Sequence, residues 1–353
     1  MRPTRIYVHG IGVVSPAGWG LEAFRGVLDG GRTVEPVVLA HPDGKPRRAR
    51  RVPVPTTRPP WMGHPRMRRS SVISQFAMAA SLEALGFGQT IREFRGLGIL
   101  ASMMGGSVLY SGRFFGEVRS DPSTASPLLF PETVFNAPSS HLAAAFQTRA
   151  RNDTLVGDES GFLNCLGQAA HWLEDGRLEA CLVVASEELD WTNAGAVGDF
   201  PGNLIPAEGA AALLLRREPA PVELTGISSP VPCVLKGPTP AALQVLHREL
   251  APGFDEAPFE VGYRIPGRRS ALEERFGQGL AAVGGWACVA AVDALMRQRA
   301  MSSVAVVAGS NHQTLGCSFR VSSPPPETPV EPVHSEACFA ASPRTPGVLR
   351  SVP

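Results

Sequence analysis

Runs of β-branched and small apolar residues alternate with stretches of helical period along most of the chain, and this pattern predicts an α/β fold with sheets covered on both faces. Composition agrees: 44% of the residues are hydrophobic and 18% charged, enough apolar material for a large core. The length, 353 residues, suits two ordinary domains or two fused halves of one fold.

Residues 5–14 alternate as a strand, and GWGLEAFRGVLDGG after it makes a short amphipathic helix closed by glycine. Residues 38–66 carry prolines and arginines without periodicity and read as a loop. SSVISQFAMAASLEALGFG starts with serines suited to capping, keeps apolar residues at helical spacing and ends on glycine, so it predicts a helix. GLGILASMMGG predicts a buried strand running into a glycine turn, SSHLAAAFQ begins another helix, and residues 153–157 another short strand. A tight turn at Asp158, Glu159 and Ser160 then leads into a helix over 161–175, followed by strands over 179–188 and 207–218. Further on, PAALQVLHREL predicts a helix, FGQGLAAVGGWACVAAVDALMRQR a glycine-led helix, and SSVAVVAGSN a strand ending in a turn. From Ser322 onward the chain is rich in proline and serine and reads as a disordered tail over 322–353.

A net charge of +1 argues against nucleic-acid or membrane binding driven by charge. The basic clusters KPRRARR (45–51) and RMRR (66–69) have no interleaved aromatic platform and read as solvated surface. The six cysteines, Cys165, Cys181, Cys233, Cys288, Cys317 and Cys338, show no metal-ligand spacing, and Cys165, Cys181 and Cys288 lie in apolar periodic segments as small buried hydrophobes. His171 and His312 stand alone, without Cys or Asp at ligand spacing, so no metal and no cofactor is expected. With no signal-peptide pattern and no apolar run approaching a membrane span, a reduced, cytoplasmic protein is expected.

The turn at 158–160 lies where strand-to-helix turns often present a nucleophile. Four stretches set its context: VHGIGVVSPAGWGLEAF, SPLLFPETVFNAPSSHLAAAF with Asn136, LNCLGQAAHWLEDGRLEACLVVASEE, and NLIPAEGAAALLL with Ile205, Pro206, Glu208, Gly209 and Ala210. In this order they resemble the β-ketoacyl synthases of the thiolase superfamily, closely over residues 5–220 and loosely over 270–321. The resemblance implies a thiolase-like fold of two related halves in a five-layered α-β-α-β-α arrangement, with a first half over 1–220 and a shortened second half over 221–321.

An active member of that family uses a cysteine thiolate, activated at a helix N-terminus, and two histidines that stabilise oxyanions. Counting back from Gly167, Gln168 and Ala169 places Glu159 at the nucleophile position, and the glycine-rich FGQGLAAVGG places Gln278 at a histidine position. The family's His-Gly-Thr motif has no counterpart, and GSNHQTLG (309–316) replaces its C-terminal glycine-rich loop. A carboxylate cannot hold an acyl group as a thioester, and a glutaminyl amide cannot exchange protons as an imidazole does. The resemblance is therefore strongest to chain-length factors, subunits that lack the cysteine and pair with an active ketosynthase in type II polyketide, aryl-polyene or fatty-acid-like biosynthesis. It implies an interface through Asp153, Thr154, Leu155, Val156 and Gly157 with the helix over 139–148, and an acyl carrier protein as a partner. A competing reading is a binding module that docks the acidic helix of that carrier on Arg66, Arg68 and Arg69.

Glu159 is expected to plug the pocket or act as a structural acid, with decarboxylation of malonyl carrier protein as the alternative. Ser160 is a further nucleophile candidate for an acyltransferase, and Gln278 a hydrogen-bonding remnant. Met103, Met104, Asn311 and His312 are candidates for pocket lining beside Ser310. Glu208 is expected to brace the core through a salt bridge or backbone hydrogen bonds.

Overall fold

The structure is a computed structural model that describes residues 4–40, 44–198, 204–233, 238–251, 257–263 and 271–322. The tail expected to be disordered lies outside the described residues, apart from Ser322.

β1 (Ile6–Ser15) turns through β2 (Gly18–Trp19) into α1 (Leu21–Gly30). β3 (Val37–Leu39) and β4 (Arg47–Ala49) pair as a small antiparallel ribbon, and a 3-10 turn at Pro60–Gly63 precedes α2 (Val72–Ala84). The segment 38–66 is thus not the featureless loop expected. Its short strands carry no periodic signature because single tertiary bonds anchor the segment, such as Arg50 N–H to Pro206 O at 2.8 Å and Arg50 Nε to Val34 O at 2.7 Å.

β5 (Leu97–Met103), α3 (Val108–Ser120), α4 (Ala137–Ala145), β6 (Asn152–Val156), α5 (Gly161–Glu174), β7 (Ala180–Glu187), α6 (Trp191–Gly198) and β8 (Gly209–Arg216) follow. β9 (Val222–Ile227), β10 (Val231–Pro232), α7 (Pro240–Leu250), β11 (Phe259–Tyr263), α8 (Ala271–Phe276), α9 (Ala282–Met296), β12 (Ser302–Ala308) and β13 (Gln313–Val321) complete the elements of the described residues. The continuous helix expected over 276–299 breaks at Gly277, whose φ of 90° belongs to the left-handed region and separates α8 from α9.

The strands join in one mixed sheet of order β11-β12-β13-β9-β1-β8-β7-β5-β6. Its two ends repeat one pattern. β8 lies antiparallel between β1 and β7, with β5 parallel to β7; β13 lies antiparallel between β9 and β12, with β11 parallel to β12. The first set has a further parallel strand, β6, which has no equivalent among the described residues of the second.

Side chains of each strand alternate between an outer and a central core. On β7, Leu182 and Val184 meet α2, whereas Cys181 and Val183 face the central helices α5 and α9. On β12, Val304 and Val306 meet α7, whereas Ala305 and Val307 face α9. The layers therefore run α2 and α4, sheet, α5 and α9, sheet, α7: the α-β-α-β-α order of a thiolase-like fold. Sandwiched between the two ends of this sheet, α9 is buried at every residue from Ala282 to Leu295, which explains a sequence without a polar face. On the outer side α2 lies directly on the backbone of β1: a Cβ on Gly10 or Gly12 would stand 1.9 Å from Ala84 O or 2.0 Å from Ala80 O. No helix among the described residues is long and apolar enough to cross a membrane.

Candidate functional site

The site forms where the N-termini of α5 and α9 converge beneath the β12–β13 turn. β6 ends at Val156, and Gly157 N–H still bonds Met103 O at 3.0 Å, so the chain enters α5 at a fixed height on the sheet. Asp158 Oδ1 accepts Ser160 N–H at 3.0 Å and Ser160 O–H at 2.7 Å. This Asx turn satisfies a donor that the helix start leaves unpaired. Gly161 is required beside it, because a Cβ there would lie 2.6 Å from Ser102 Oγ.

Glu159 is 1% exposed and points its carboxylate inward. Oε1 accepts the Gln278 Nε2–H at 2.5 Å; Oε2 accepts Ser310 N–H at 2.8 Å and Ser310 O–H at 3.0 Å. Next to it, Asp158 Oδ2 accepts Asn311 N–H at 2.9 Å. Consecutive amides of the β12–β13 turn thus hold consecutive carboxylates, and both helix N-termini place positive partial charge on this spot. The approach is close: a Cβ on Gly309 would stand 2.0 Å from Asp158 Oδ2, and one on Gly284 2.5 Å from Glu159 O.

The Pro206–Glu208 segment fixes Gln278. Gln278 N–H donates to Ile205 O at 2.8 Å, its carbonyl accepts Ala207 N–H at 2.7 Å, and its Oε1 accepts Leu280 N–H at 3.1 Å. Glu208 turns the other way. Arg51 meets it twice, Nε to Oε1 at 3.1 Å and Nη2 to Oε2 at 3.2 Å, and the N–H groups of Val52 and Leu189 add bonds of 3.1 and 3.0 Å.

Among the other candidates, Met103 is 1% exposed in the outer core against α2, on the side of the sheet away from Glu159. Met104 N–H bonds Glu187, and Gly105 N–H donates to Glu187 Oε2 at 3.0 Å. Ser160 is fully buried with its proton committed to Asp158. Asn311 and His312 are exposed on the β12–β13 turn, where His312 has a φ of 66°. Asp153 and Val156 are exposed and Thr154, Leu155 and Gly157 half-buried, around a strand that among the described residues pairs only with β5.

Among the side chains that sequence reasoning passed over are Glu187 and Glu188. Burial pushes the Glu187 carboxyl up to about 8 and that of Glu188 up to about 7. Glu188 accepts Ile73 N–H and Leu109 N–H, both at 2.9 Å, and so bridges the N-termini of α2 and α3. Two adjacent acids at the end of an otherwise apolar strand were the available signal.

Chemically, the site presents two hydrogen-bonded carboxyl groups and no cysteine at the helix start. Cys165 lies farther along α5, fully buried, and burial pushes its thiol up to about 12; burial also raises Cys181 and Cys288. No group of three His, Cys, Asp or Glu among the described residues is arranged to hold a metal ion.

No family model and no curated protein matches the chain. Solved structures do. A structure described as the ishigamide ketosynthase/chain length factor is 17% identical, with 90% of this chain and 100% of that chain covered and a TM-score of 0.73. The ketosynthase ApeO in complex with its chain length factor ApeC from Xenorhabdus doucetiae is 14% identical, covering 90% of this chain and 98% of that one at a TM-score of 0.72. A type II polyketide synthase acyl-carrier protein in complex with its ketosynthase bound to the hexaketide (AntDE:AntF) is also 14% identical, with 91% and 100% covered and a TM-score of 0.72. Layer order, sheet order and these likenesses agree that the chain has the thiolase-like fold of ketosynthase and chain length factor structures.

Proposed function

We propose that this chain is a non-condensing ketosynthase-like subunit, a chain-length factor that pairs with an active β-ketoacyl synthase in the cytoplasm and helps shape its acyl tunnel. The observation that carries this reading is Glu159. It stands at the N-terminus of α5, where the resemblance puts the nucleophile, and hydrogen bonds from Gln278 and Ser310 fix its carboxyl group in place. A carboxylate so placed fills the site and cannot carry a thioester. In this reading the subunit has two halves, residues 1–220 and 221–321, a division that the repeated strand pattern supports.

The edge strand β6 is the pairing surface for the partner. Val156 is 58% exposed there, and Phe130 and Phe135 are exposed at 57% and 42% on the connection before α4, more apolar surface than an isolated chain gains by showing. Arg66, Arg68 and Arg69 are exposed together ahead of α2 and receive the acidic helix of an acyl carrier protein. The product belongs to a polyketide, aryl-polyene or fatty-acid-like series.

Co-expression with a cysteine-containing ketosynthase encoded nearby, followed by size-exclusion chromatography with light scattering, tests the proposal. A one-to-one heterodimer lost on Val156→Asp supports it. A stable homodimer that releases CO2 from malonyl carrier protein, and stops doing so on Glu159→Ala, replaces it with the decarboxylase reading.

A further inference from the structure

Away from the Glu159 site, the segment Val52–Met62 stands off α2 and leaves a cavity of about 710 Å³. This volume is within the range of pockets that enclose small organic ligands. Its inner walls are Trp19, Val52, Met62, Val72 and Phe76, with the Trp19 and Phe76 rings edge to face at 5.4 Å between centroids. Val54 at its mouth is 88% exposed, so apolar lining is left open to water.

The polar groups at the cavity are few and unequal. Arg51 is neutralised by Glu208 at 3.1 Å. Arg58 is not: its guanidinium makes one hydrogen bond, from Nη2 to Met62 O at 3.1 Å, and no carboxylate is paired with it among the described residues. An apolar cavity with one exposed guanidinium at its edge, without a carboxylate partner among the described residues, matches a ligand with an apolar body and a single anionic end. A carboxylate fits that guanidinium best, because its two oxygens can take parallel N–H donors.

We propose that this cavity binds a medium-chain aliphatic carboxylate, its chain against Trp19 and Phe76 and its carboxylate on Arg58. The site is separate from Glu159, since the backbone of Ile205–Ala207 and Gln278 lies between them. It therefore stands or falls independently of the chain-length-factor reading.

Isothermal titration of the full chain with octanoate, decanoate and decanol tests the proposal. Decanoate is expected to bind tighter than octanoate by roughly tenfold, at about three- to fourfold per methylene, and tighter than decanol. Arg58→Gln, a surface change, is expected to bring decanoate to the level of decanol while leaving decanol unchanged. Val72→Trp, which fills the cavity, is expected to weaken both. The proposal is overturned by equal binding of decanoate and decanol to the unmodified chain, or by no saturable binding up to about 1 mM. Decanoate binding indifferent to Arg58→Gln overturns it as well, and that readout does not depend on the folding of the Val72 variant.

Discussion

The Glu159 carboxylate accepts the Gln278 amide with one oxygen and the Ser310 N–H and O–H with the other, at 2.5, 2.8 and 3.0 Å. One side chain thereby ties the start of α5 to the segment before α9 and to the β12–β13 turn. Removing it strands a buried donor on Gln278 and part-buried donors on Ser310, and a fully buried group of this kind costs about 1–3 kcal/mol. Glu159→Ala is expected to lower unfolding free energy by about 2–4 kcal/mol, read as a lower urea midpoint at unchanged slope. Glu159→Gln keeps one acceptor and should lose less. A variant as stable as the parent would mean the three bonds are not made.

Glu159→Cys asks whether the nucleophile is all that is missing. A thiol there would sit at the N-termini of α5 and α9, which favours the thiolate. Glu159 is only 1% exposed, so the new thiol should be alkylated by iodoacetamide faster than the buried Cys165, Cys181, Cys233, Cys288 and Cys317 only if its shorter side chain leaves the site open to the reagent. Labelling no faster than at those thiols would show that the site stays closed. Condensation should nevertheless not appear, because Gln278 cannot replace a proton-exchanging imidazole. Mass spectrometry of the labelled protein and a condensation assay with acyl and malonyl carrier proteins separate the two steps; a condensed product would show that Gln278 suffices.

Stability should depend on pH through Glu187 and Glu188. Desolvation is the main cause of both raised values, about 8 and about 7 against an ordinary 4.5, and backbone N–H bonds pull the other way. In the folded chain these acids keep protons that the unfolded chain has already lost, so unfolding releases protons between pH 4.5 and 8. Their contribution is complete below about pH 4.5 and is lost as pH rises through 7 to 8, by at most about 1.4 kcal/mol per pH unit for each. Urea midpoints at about pH 5.5, 7 and 8.5 should fall in that order; a flat or rising series would mean that both acids are ionised when folded.

Much of this architecture could be read from the residues, for reasons that also mark where reading stopped. The strand at 179–188 and the helix at 161–175 declare themselves by period, since each meets a core on a fixed face. Glu159 and Gln278 were found by counting within stretches whose order resembles a family. The partners of Glu159 were harder. Ser310 lies 151 residues away along the chain, and one of its two bonds comes from the backbone N–H, which no side-chain pattern encodes. Arg51 was passed over for a similar reason: within a basic cluster it looks like solvated surface, and only the fold places it on Glu208. β3 and β4 went unread because three-residue strands held by isolated tertiary bonds have no period to detect.

Two glycines in helices separate conformational freedom from close approach. At Gly26, within α1, a methyl group would meet nothing within 4 Å. Gly26→Ala is therefore expected to stabilise the chain by about 0.5–1 kcal/mol, because alanine loses less backbone entropy in a helix. At Gly284, within α9, the same methyl would stand 2.5 Å from Glu159 O and 3.1 Å from Phe162 Cβ. Neither neighbour can yield without moving the start of α5, so Gly284→Ala should destabilise by about 1–3 kcal/mol despite the better helix former. It should also part the two helix N-termini and loosen the bonds from Gln278 and Ser310 to Glu159. Thermal midpoints of the two variants should shift in opposite directions. Hydrogen exchange at Ser310 N–H should quicken in Gly284→Ala alone; equal exchange in both variants would show that α5 and α9 do not hold the site together by contact at Gly284.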